Sequence, residues 1–269
     1  MGAAIETLKS LGATTDEDID LAEGALALAA VARPSVSLAP YREHLSALAG
    51  GVEAARSVAD RVAALNDVLF TRHGYEGDAA NYDDLDNANM IRVIDRRKGL
   101  PVALGILYLH TARAQGWRAE GLNFPGHFLL RLDDGRERAI VDPFHGGLMR
   151  STSDLRGLLK ASAGADAELN PRLYEPVTNR QVLLRLQNNV TTRLADAGDY
   201  EQAVASLDAM ILLAPQAVRL WFERGAYLAK LGNLGAAIAS LEAFIARAPS
   251  PGARSEAATL LATLKRRLN

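Results

Sequence analysis

Apolar side chains recur every three to four residues through the first seventy positions of the chain, which is the spacing of a helix with one buried face. The earliest of these stripes consists of Ile19, Ala22, Leu26 and Ala29. Thr14 and Glu17 stand three residues apart just before it, which predicts a capping box at the start of this helix. The stripes stop at Pro34 and again at Gly50-Gly51, so separate helices are expected on either side of these breaks.

A third helix is predicted over residues 52–72 from the continuing apolar stripe. A fourth is predicted over residues 88–98, with Asn87 as its N-cap. The following helix begins near Pro101, in the first turn where proline is tolerated, and ends at Gly116.

Beyond residue 116 the apolar positions alternate with polar ones, which is the period of a β-strand. Three short strands are predicted from the segments "WRAEGLN", "HFLLRL" and "RERAIVD", and "DDG" between the last two is typical of a hairpin turn. A helix over residues 152–161 is expected next, with Ser151 or Thr152 as its cap. Helices followed by neighbouring strands predict an α+β fold with an antiparallel sheet.

The last third of the chain repeats itself at an offset of 34 residues. Aligning "GDYEQAVASLDAMILLAP" with "GNLGAAIASLEAFIARAP" pairs Gly198 with Gly232, Ala203 with Ala237, Leu207 with Leu241, and Pro215 with Pro249. This period is that of the tetratricopeptide repeat. Two such repeats are therefore predicted, over about 184–215 and 218–249, with a capping helix near 253–267.

The two patterns predict two domains. Residues 1–170 are expected to form the α+β domain, and residues 176–269 an all-α domain of two tetratricopeptide repeats and the capping helix. Because two repeats leave apolar faces uncovered at their ends, the capping helix and the N-terminal domain are expected to cover them.

Composition and charge exclude several classes of function. A formal net charge of −2 gives no general attraction for nucleic acid or for an anionic membrane surface. No apolar run approaches the roughly 18 residues of a membrane span, and the first twenty residues lack a secretory signal, so a cytoplasmic location is expected. The chain has no cysteine, which excludes disulfides, cysteine-ligated metal centres and thiol catalysis.

Three segments, "RKGLPVAL", "FPGHF" and "VDPFHGG", carry a resemblance to a known family. Together with the C-terminal repeats, they resemble the bacterial SirB-type branch of the transglutaminase-like superfamily, whose core is related to papain-type thiol enzymes. The resemblance implies that Pro101 stands at the position of the nucleophilic cysteine. It likewise implies that His127 stands at the general base and Asp142 at the carboxylate that orients this base.

Proline at this position removes the nucleophile. A cysteine at a helix N-terminus is favoured as thiolate by the helix dipole and by a nearby histidine, whereas proline has no thiol and no proton to lose. His110, nine positions further along the helix, faces nearly the opposite way, and no serine or threonine lies in the first turn. Thiol catalysis is therefore absent, and His127 with Asp142 is expected to form a remnant dyad.

Three interpretations of this dyad stay open. His127 is a buried histidine held by Asp142, or it lines a polar pocket that binds a ligand or peptide, or it activates water against an ester or amide. A zinc site of His127, Asp142 and His145 is a further alternative, for which the sequence provides no geometry. The first interpretation is favoured, and we expect neither a metal nor a cofactor.

Tetratricopeptide arrays bind peptides along the face formed by the first helix of each repeat. The resemblance places on this face Arg185, Asn188, Arg219, Phe222 and Lys230. Their positive charge suits an acidic peptide or a C-terminal carboxylate. The alternative is that they are ordinary solvated residues, or that the face packs on the N-terminal domain.

The sequence thus favours a non-catalytic cytoplasmic scaffold or adaptor that binds a protein or peptide partner, and neither nucleic acid nor membrane. The alternative is a hydrolase or amidase that uses His127 and Asp142 with an activated water or a bound metal. The sequence does not indicate an oligomeric state.

Overall fold

The computed structural model describes residues 2–268, which fold as two compact units. The first unit contains residues 15–186, and the second contains residues 2–14 together with residues 187–268. Residues 2–14, which the sequence analysis assigned to the N-terminal domain, therefore belong to the second unit.

Helices dominate the regular structure. The described residues form twelve α-helices: α1 (Gly2–Ala13), α2 (Leu21–Ala32), α3 (Ala39–Gly50), α4 (Val58–Asn66), α5 (Met90–Arg96), α6 (Pro101–Ala114), α7 (Thr152–Ala163), α8 (Asn179–Asp196), α9 (Tyr200–Leu213), α10 (Val218–Lys230), α11 (Leu234–Arg247) and α12 (Pro251–Leu268). A π-helical segment, Asp67–Arg72, continues α4. Short 3-10 turns occur at Leu85–Ala88, Pro143–His145 and Pro171–Tyr174. None of the described helices has the length and apolar character needed to cross a bilayer.

The strands are short and all lie in the first unit. They are β1 (Glu76–Gly77), β2 (Lys98–Gly99), β3 (Arg118–Leu122), β4 (Leu129–Asp133), β5 (Arg138–Asp142), β6 (Leu148–Met149) and β7 (Pro176–Val177). Five of them form an antiparallel sheet in the order β6-β5-β4-β3-β7, in which Leu130 of β4 lies opposite Val141 of β5. The remaining two, β1 and β2, pair in parallel.

Helix α6 forms the centre of the first unit. Ten of its fourteen residues are buried, and it contacts α2, α3, β3 and β4. A helix that is apolar nearly all round, rather than along one stripe, is expected to be enclosed in this way. The α+β class predicted from the order of helices and strands is confirmed.

The capping box predicted from Thr14 and Glu17 is wrong. Helix α2 begins one residue after Asp20, whose carboxylate accepts the backbone N–H groups of Ala22 (2.9 Å) and Glu23 (3.0 Å). Thr14 instead follows α1, a helix that was not predicted, and its hydroxyl donates to a carbonyl of that helix. Asp20 is the cap because it lies directly before the helix in an extended conformation, where its short side chain reaches the free N–H groups.

Two further helix starts differ from the predictions. Helix α4 begins later than residue 52, because Ser57 and Asp60 form a reciprocal capping box. Asn87 does not cap α5, because its buried amide donates to the carbonyl of Asn81 at 2.7 Å, and Asn89 caps the helix instead. Several neighbouring side chains can cap each of these helices, and tertiary contacts decide between them.

The three predicted strands and the helix that follows them are confirmed. They form β3, β4 and β5, which pair as successive antiparallel neighbours. Helix α7 begins after Ser151, whose hydroxyl accepts the Asp154 N–H at 3.2 Å while the Asp154 carboxylate accepts the Ser151 N–H at 2.7 Å. The signals for these elements are local, which is why the sequence suffices to find them.

The second unit is all-helical, as predicted. Helix α9 packs against α10, α10 against α11 and α11 against α12, while α1 packs against α9. Asp199 and Asn233, which stand 34 residues apart, cap α9 and α11 in the same way, by accepting the N–H groups of Gln202 and Ala236. The repeat and the predicted final helix are therefore both present in the structure.

Candidate functional site

Helix α6 begins where the resemblance places a nucleophile. Leu100 precedes the helix in an extended conformation and Pro101 is its first residue, and no side chain caps this end. Proline fits because its fixed φ matches the first helical turn. A backbone N–H at this position would have no hydrogen-bond partner within the helix, so its absence costs nothing. The position provides a backbone conformation and no reactive group.

His127 lies in a turn rather than in the predicted strand. Gly126 has a φ of 70°, and the His127 N–H donates to the carbonyl of Phe124 at 3.0 Å, so β4 starts only at Leu129. The paired positions of β4 and β5 end at Leu130 and Val141, so this register, if continued, would bring Leu129 and not His127 opposite Asp142. His127 is therefore not the cross-strand neighbour of Asp142, because the turn carries it beyond the end of the paired strands.

The carboxylate of Asp142 is buried and fully engaged with residues of its own loop. Its Oδ1 accepts the backbone N–H groups of Phe144 (3.1 Å) and His145 (3.3 Å). Its Oδ2 lies 2.8 Å from Nδ1 of His145 and accepts Nη2 of Arg150 at 2.7 Å. Asp142 thus caps the turn after β5, and Arg150 balances its charge.

The His127 ring is not part of this network. Among residues 2–268, no hydrogen bond joins the ring to Asp142, and its centroid lies 6.4 Å from that of the Phe124 ring. Burial lowers the pKa of His127; nearby cationic groups act in the same direction and Asp142 opposes them. The imidazole is therefore neutral at pH 7 and takes up a proton less readily than an unperturbed histidine.

Arg185 orders the turn that carries His127. Its Nη2 donates to the His127 carbonyl at 2.9 Å, and its guanidinium lies over the ring of Phe128, 5.6 Å from the centroid. Burial lowers the pKa of the Arg185 guanidinium. This side chain has a structural role inside the first unit, and its predicted contact with a peptide stays a prediction.

The loop after β5 is anchored to helix α6. Asn66 donates from Nδ2 to the carbonyl of Gly147 at 3.1 Å, and the hydroxyl of Tyr108 donates to Asn66 Oδ1 at 3.2 Å. Gly147 has a φ of 73°, and a Cβ at this position would overlap the Asn66 side chain, so only glycine fits. The second glycine of "HGG" therefore serves the packing of the loop.

The donors around Asp142 do not form a metal site. Among the described residues, no group of three or more histidine, cysteine, aspartate or glutamate side chains is placed to hold a metal ion. The zinc site considered for His127, Asp142 and His145 is disfavoured at Asp142. The carboxylate oxygen that contacts His145 also binds Arg150. A guanidinium on that carboxylate disfavours a cation beside it.

A second candidate surface lies on helix α10. Spacings of four, four and three residues place on one face Arg219, Glu223, Tyr227 and Lys230. The Arg219 side chain is 88% exposed and pairs with Glu223 at 2.5 Å. Lys230 donates from Nζ to the hydroxyl of Tyr200 at 2.8 Å, and the rings of Tyr200 and Tyr227 lie 5.6 Å apart. We call these five side chains the α10 face.

The remaining predicted groove residues differ from each other. Asn188 on α8 is exposed. Phe222 is half-buried within the second unit, where its ring lies 5.2 Å from that of Phe244 on α11. Its aromatic ring packs α10 against α11. A peptide that contacts Phe222 therefore has only the part of the ring that this packing leaves uncovered.

His145 was placed beside Asp142 only as part of the zinc alternative, and the contacts of Arg150 with Asp142 and of Tyr200 with Lys230 were not predicted. His145 follows Asp142 at the i+3 spacing of a side chain that caps a turn, a local signal that was present in "VDPFHGG". Arg150 has no such signal, because it reaches Asp142 through the pairing of β6 with β5. The contact of Lys230 with Tyr200 joins two different helices and has no sequence signature either.

Two family models match the chain. Residues 39–188 match the transglutaminase-like superfamily, and residues 192–262 match the tetratricopeptide repeat. The first match spans more than half of the chain and includes Pro101, His127 and Asp142. Both resemblances seen in the sequence are confirmed, and the SirB-type arrangement fits them at the level of domain order.

Several relatives match over much of this chain. A UPF0162 protein of Xylella fastidiosa (strain 9a5c) is 29% identical over 233 residues, which cover 83% of this chain and 82% of the relative. A UPF0162 protein of Vibrio cholerae is 32% identical over 208 residues, or 74% of this chain and 77% of the relative. F-box only protein 21 of Mus musculus is 29% identical over 180 residues, which are 63% of this chain but 28% of that protein. The chain belongs to the transglutaminase-like superfamily and, within it, to the UPF0162 family, with tetratricopeptide repeats at its C-terminal end.

Proposed function

We propose that this protein is a non-catalytic, cytoplasmic scaffold or adaptor, regulatory in its role, that binds a protein partner through its tetratricopeptide repeats. The observation that carries the proposal is Pro101, the first residue of α6, in a chain without cysteine. The helix terminus at which a thiolate would be stabilised holds a residue that has no nucleophile.

The arrangement of Asp142 supports the same proposal. In a working acid–base pair the carboxylate holds the base in the orientation that the reaction needs. Here the Asp142 carboxylate caps a turn and binds Arg150, while His127 lies beyond the strand end. These polar groups serve the structure of the loop, which supports a non-catalytic role.

The α10 face supports a partner with acidic side chains. Tetratricopeptide repeats are generally protein-interaction modules, and this face offers two cations beside two tyrosine rings. An arginine binds a carboxylate through paired N–H donors, and tyrosines provide apolar contact with a polar tip. Glu223 limits the positive charge, so an acidic peptide competes with it for Arg219.

The test is a charge reversal on the α10 face with a matched control. Affinity capture from a native lysate identifies bound proteins, and the purified partner is then titrated against each variant. The double variant Arg219→Glu/Lys230→Glu is expected to bind at least about tenfold more weakly, since two charge-assisted contacts become repulsive. Arg266→Glu/Arg267→Glu, which changes the net charge equally on the exposed end of α12, is expected to bind as wild type.

Equal loss of binding in both double variants would mean that net charge, and not the α10 face, governs the interaction. Unchanged binding in the Arg219/Lys230 variant would contradict the proposed surface. Melting temperatures of all variants have to agree within a few degrees, so that a loss of binding is not a loss of fold.

One observation favours the alternative of a hydrolase or amidase. Asp142 holds Nδ1 of His145 at 2.8 Å, and the His145 side chain is 51% exposed, so its Nε2 is available to a water molecule. This arrangement offers a His145–Asp142 pair in place of the predicted His127–Asp142 dyad, although Arg150 binds the same carboxylate oxygen. Turnover of ester or amide substrates that disappears in His145→Ala, but persists in His127→Ala, would support the enzyme over the adaptor.

A further inference from the structure

Four polar side chains of the first unit form a cluster outside the sites described so far. They are His44 of α3, Arg97 at the end of α5, and His73 and Tyr75 from the segment after the π-helix. Nη1 of Arg97 lies 2.7 Å from Nε2 of His44 and 2.6 Å from the Tyr75 hydroxyl. The rings of His44 and His73 meet edge to face at 5.3 Å. We call these four residues the Arg97 cluster.

Arg97 has a backbone conformation that favours glycine. Its φ of 60° and ψ of 22° are left-handed, at the C-cap of α5, and no other described non-glycine residue has a positive φ. Helices commonly end in this conformation with glycine, because a side chain is strained there. Retaining an arginine at this point places the guanidinium over the Tyr75 ring, 4.9 Å from its centroid. Such strain is concentrated at functional sites.

One edge of the Arg97 guanidinium makes no hydrogen bond with the protein. Its contacts with His44 and Tyr75 both come from Nη1, and within residues 2–268 neither Nε nor Nη2 has a hydrogen-bond partner. Nε and Nη2 form the edge with two parallel N–H donors. This edge is the one that binds two oxygens of a carboxylate or a phosphate at once.

The charge of Arg97 is not balanced by a carboxylate. In the described part of the chain no acidic side chain forms an ion pair with it, whereas its basic neighbours each have one. Arg72 pairs with Asp67 at 2.7 Å, and Lys98 pairs with Glu76 at 2.9 Å. The Arg97 cluster is therefore a half-buried positive charge without a counter-charge of its own.

The two histidines are affected by this charge. Burial lowers the pKa of His44 to about 4, and Arg97 and His73 add to the effect. Burial also lowers the pKa of His73, with Arg97 acting in the same direction. Burial raises the pKa of Tyr75 to about 12. At pH 7 both imidazoles are neutral, and the hydroxyl keeps its proton.

We propose that the Arg97 cluster binds a small tetrahedral oxyanion of the phosphate or phosphate-monoester class. The free edge of Arg97 donates two hydrogen bonds to it, and His73 donates once it is protonated, while His44 lies on the opposite, Nη1 side of the guanidinium and senses the anion only through its charge. A tetrahedral anion accepts from donors that approach in several directions, which suits side chains from two segments of the chain better than a planar carboxylate does. This site is independent of the proposed adaptor function.

Anion binding in this cluster is linked to proton uptake. A bound anion favours the charged form of an imidazole, so it raises the pKa of His44 and His73, and binding tightens as pH falls. Two other charged groups face the cluster. Arg72 forms an ion pair with Asp67, and Asp95 accepts the Tyr41 hydroxyl at 3.0 Å.

Histidine ring NMR tests the proposal directly. Sulfate is the first probe because its charge does not change in the range where histidines titrate, and sodium chloride of equal ionic strength is the control. Sulfate is expected to raise the pKa of both His44 and His73 by about one unit in the full chain. Chloride is expected to leave both values nearly unchanged.

Two variants separate the site from general charge effects. Arg97→Asn removes the guanidinium but keeps a residue that tolerates the left-handed conformation, so the fold is retained. It is expected to abolish the sulfate-dependent shifts and to weaken binding at least about tenfold. Lys98→Gln removes an adjacent positive charge outside the cluster and is expected to bind sulfate as wild type. His73→Gln provides a second test that leaves the Arg97 backbone untouched, and it is expected to weaken binding.

Inorganic phosphate and glycerol 3-phosphate are then compared by calorimetry. Tighter binding of the ester points to a phosphorylated metabolite, and tighter binding of the free ion points to phosphate itself; either result supports the site. Histidine pKa values that sulfate leaves unchanged in wild type would overturn the proposal. Equal shifts in wild type and Arg97→Asn would overturn it as well.

Discussion

The loop around Asp142 and the α10 face use charged side chains in opposite ways. Asp142 is 2% exposed, and each of its oxygens has two partners from its own loop. Arg219 is 88% exposed and pairs with Glu223, which lies on the same helix. A charge whose partners are all internal stabilises the fold, whereas an exposed charge with a weak local partner remains available for another molecule.

This contrast predicts that the two regions respond differently to mutation. Changes in the Asp142 loop are expected to lower the free energy of unfolding, while changes on the α10 face are expected to affect binding with little change in stability.

Asp142→Ala is expected to destabilise the protein by about 3 kcal/mol, because it leaves the largely buried Arg150 without a counter-charge and removes the cap of the turn after β5. Urea unfolding followed by circular dichroism measures the effect. Arg118→Ala, which removes a well-exposed partner of Glu120, is a control expected to cost about 0.5 kcal/mol or less. Equal losses for the two variants would contradict a structural role for Asp142.

Gly147→Ala tests whether the second glycine after His145 serves packing. The new methyl group would overlap the Asn66 side chain and would have to adopt a φ of 73°, so a loss of about 2 kcal/mol is expected. Gly146→Ala is the matched control: Gly146 also has a positive φ, of 65°, but a Cβ there meets no atom within 4 Å. If the two substitutions cost the same, conformational strain alone accounts for the loss, and the contact with Asn66 adds nothing.

Protonation of two half-buried histidines, His44 and His127, is expected to destabilise the first unit at low pH. Burial lowers the pKa of His44 and of His127 in the folded protein, so below the unfolded value of about 6.5 the unfolded chain binds more protons. The free energy of unfolding therefore falls as pH drops from about 6.5 toward the folded pKa of His44, which is about 4. Because His44 is half-exposed and solvent screens its charge, its contribution to this loss of stability is about 1 kcal/mol.

Urea unfolding at a series of pH values measures this dependence. His44→Gln is expected to flatten the slope between pH 6.5 and pH 4, and His127→Gln to flatten it less. His110→Gln is the control for removing a histidine elsewhere in the first unit. Stability that rises as pH falls through this interval would contradict the lowered pKa values.

Arg219→Glu/Lys230→Glu is expected to change the free energy of unfolding by only about 0.5 kcal/mol, because both side chains are exposed and surface ion pairs contribute little. Thermal unfolding monitored by circular dichroism checks this. A loss as large as that of Asp142→Ala would place the α10 face among the stabilising parts of the fold and would remove the contrast with the Asp142 loop.

Local signals made much of the fold predictable. The 34-residue repeat, the hairpin at "DDG" and the cap at Ser151 depend on residues close together in the chain. Helix α1 and the caps Asp20 and Asn89 were missed, because several nearby residues were equally able to cap and tertiary packing chose among them.

The candidate site was less predictable. Proline at the start of α6 could be inferred from the sequence, because position along the chain determines it. The pairing of His127 with Asp142 depended on strand register, and a single turn at Gly126 displaced His127 from it. The contact of Arg150 with Asp142 arises from the pairing of two strands and has no sequence signature.

The most direct test of the account measures binding of one purified partner to variants of both regions. His127→Ala and His145→Ala are compared with Arg219→Glu/Lys230→Glu, each checked for an unchanged melting temperature. The account predicts wild-type affinity for both histidine variants and binding at least about tenfold weaker for the α10 variant. Binding that is lost with the histidines and retained in the α10 variant would contradict it.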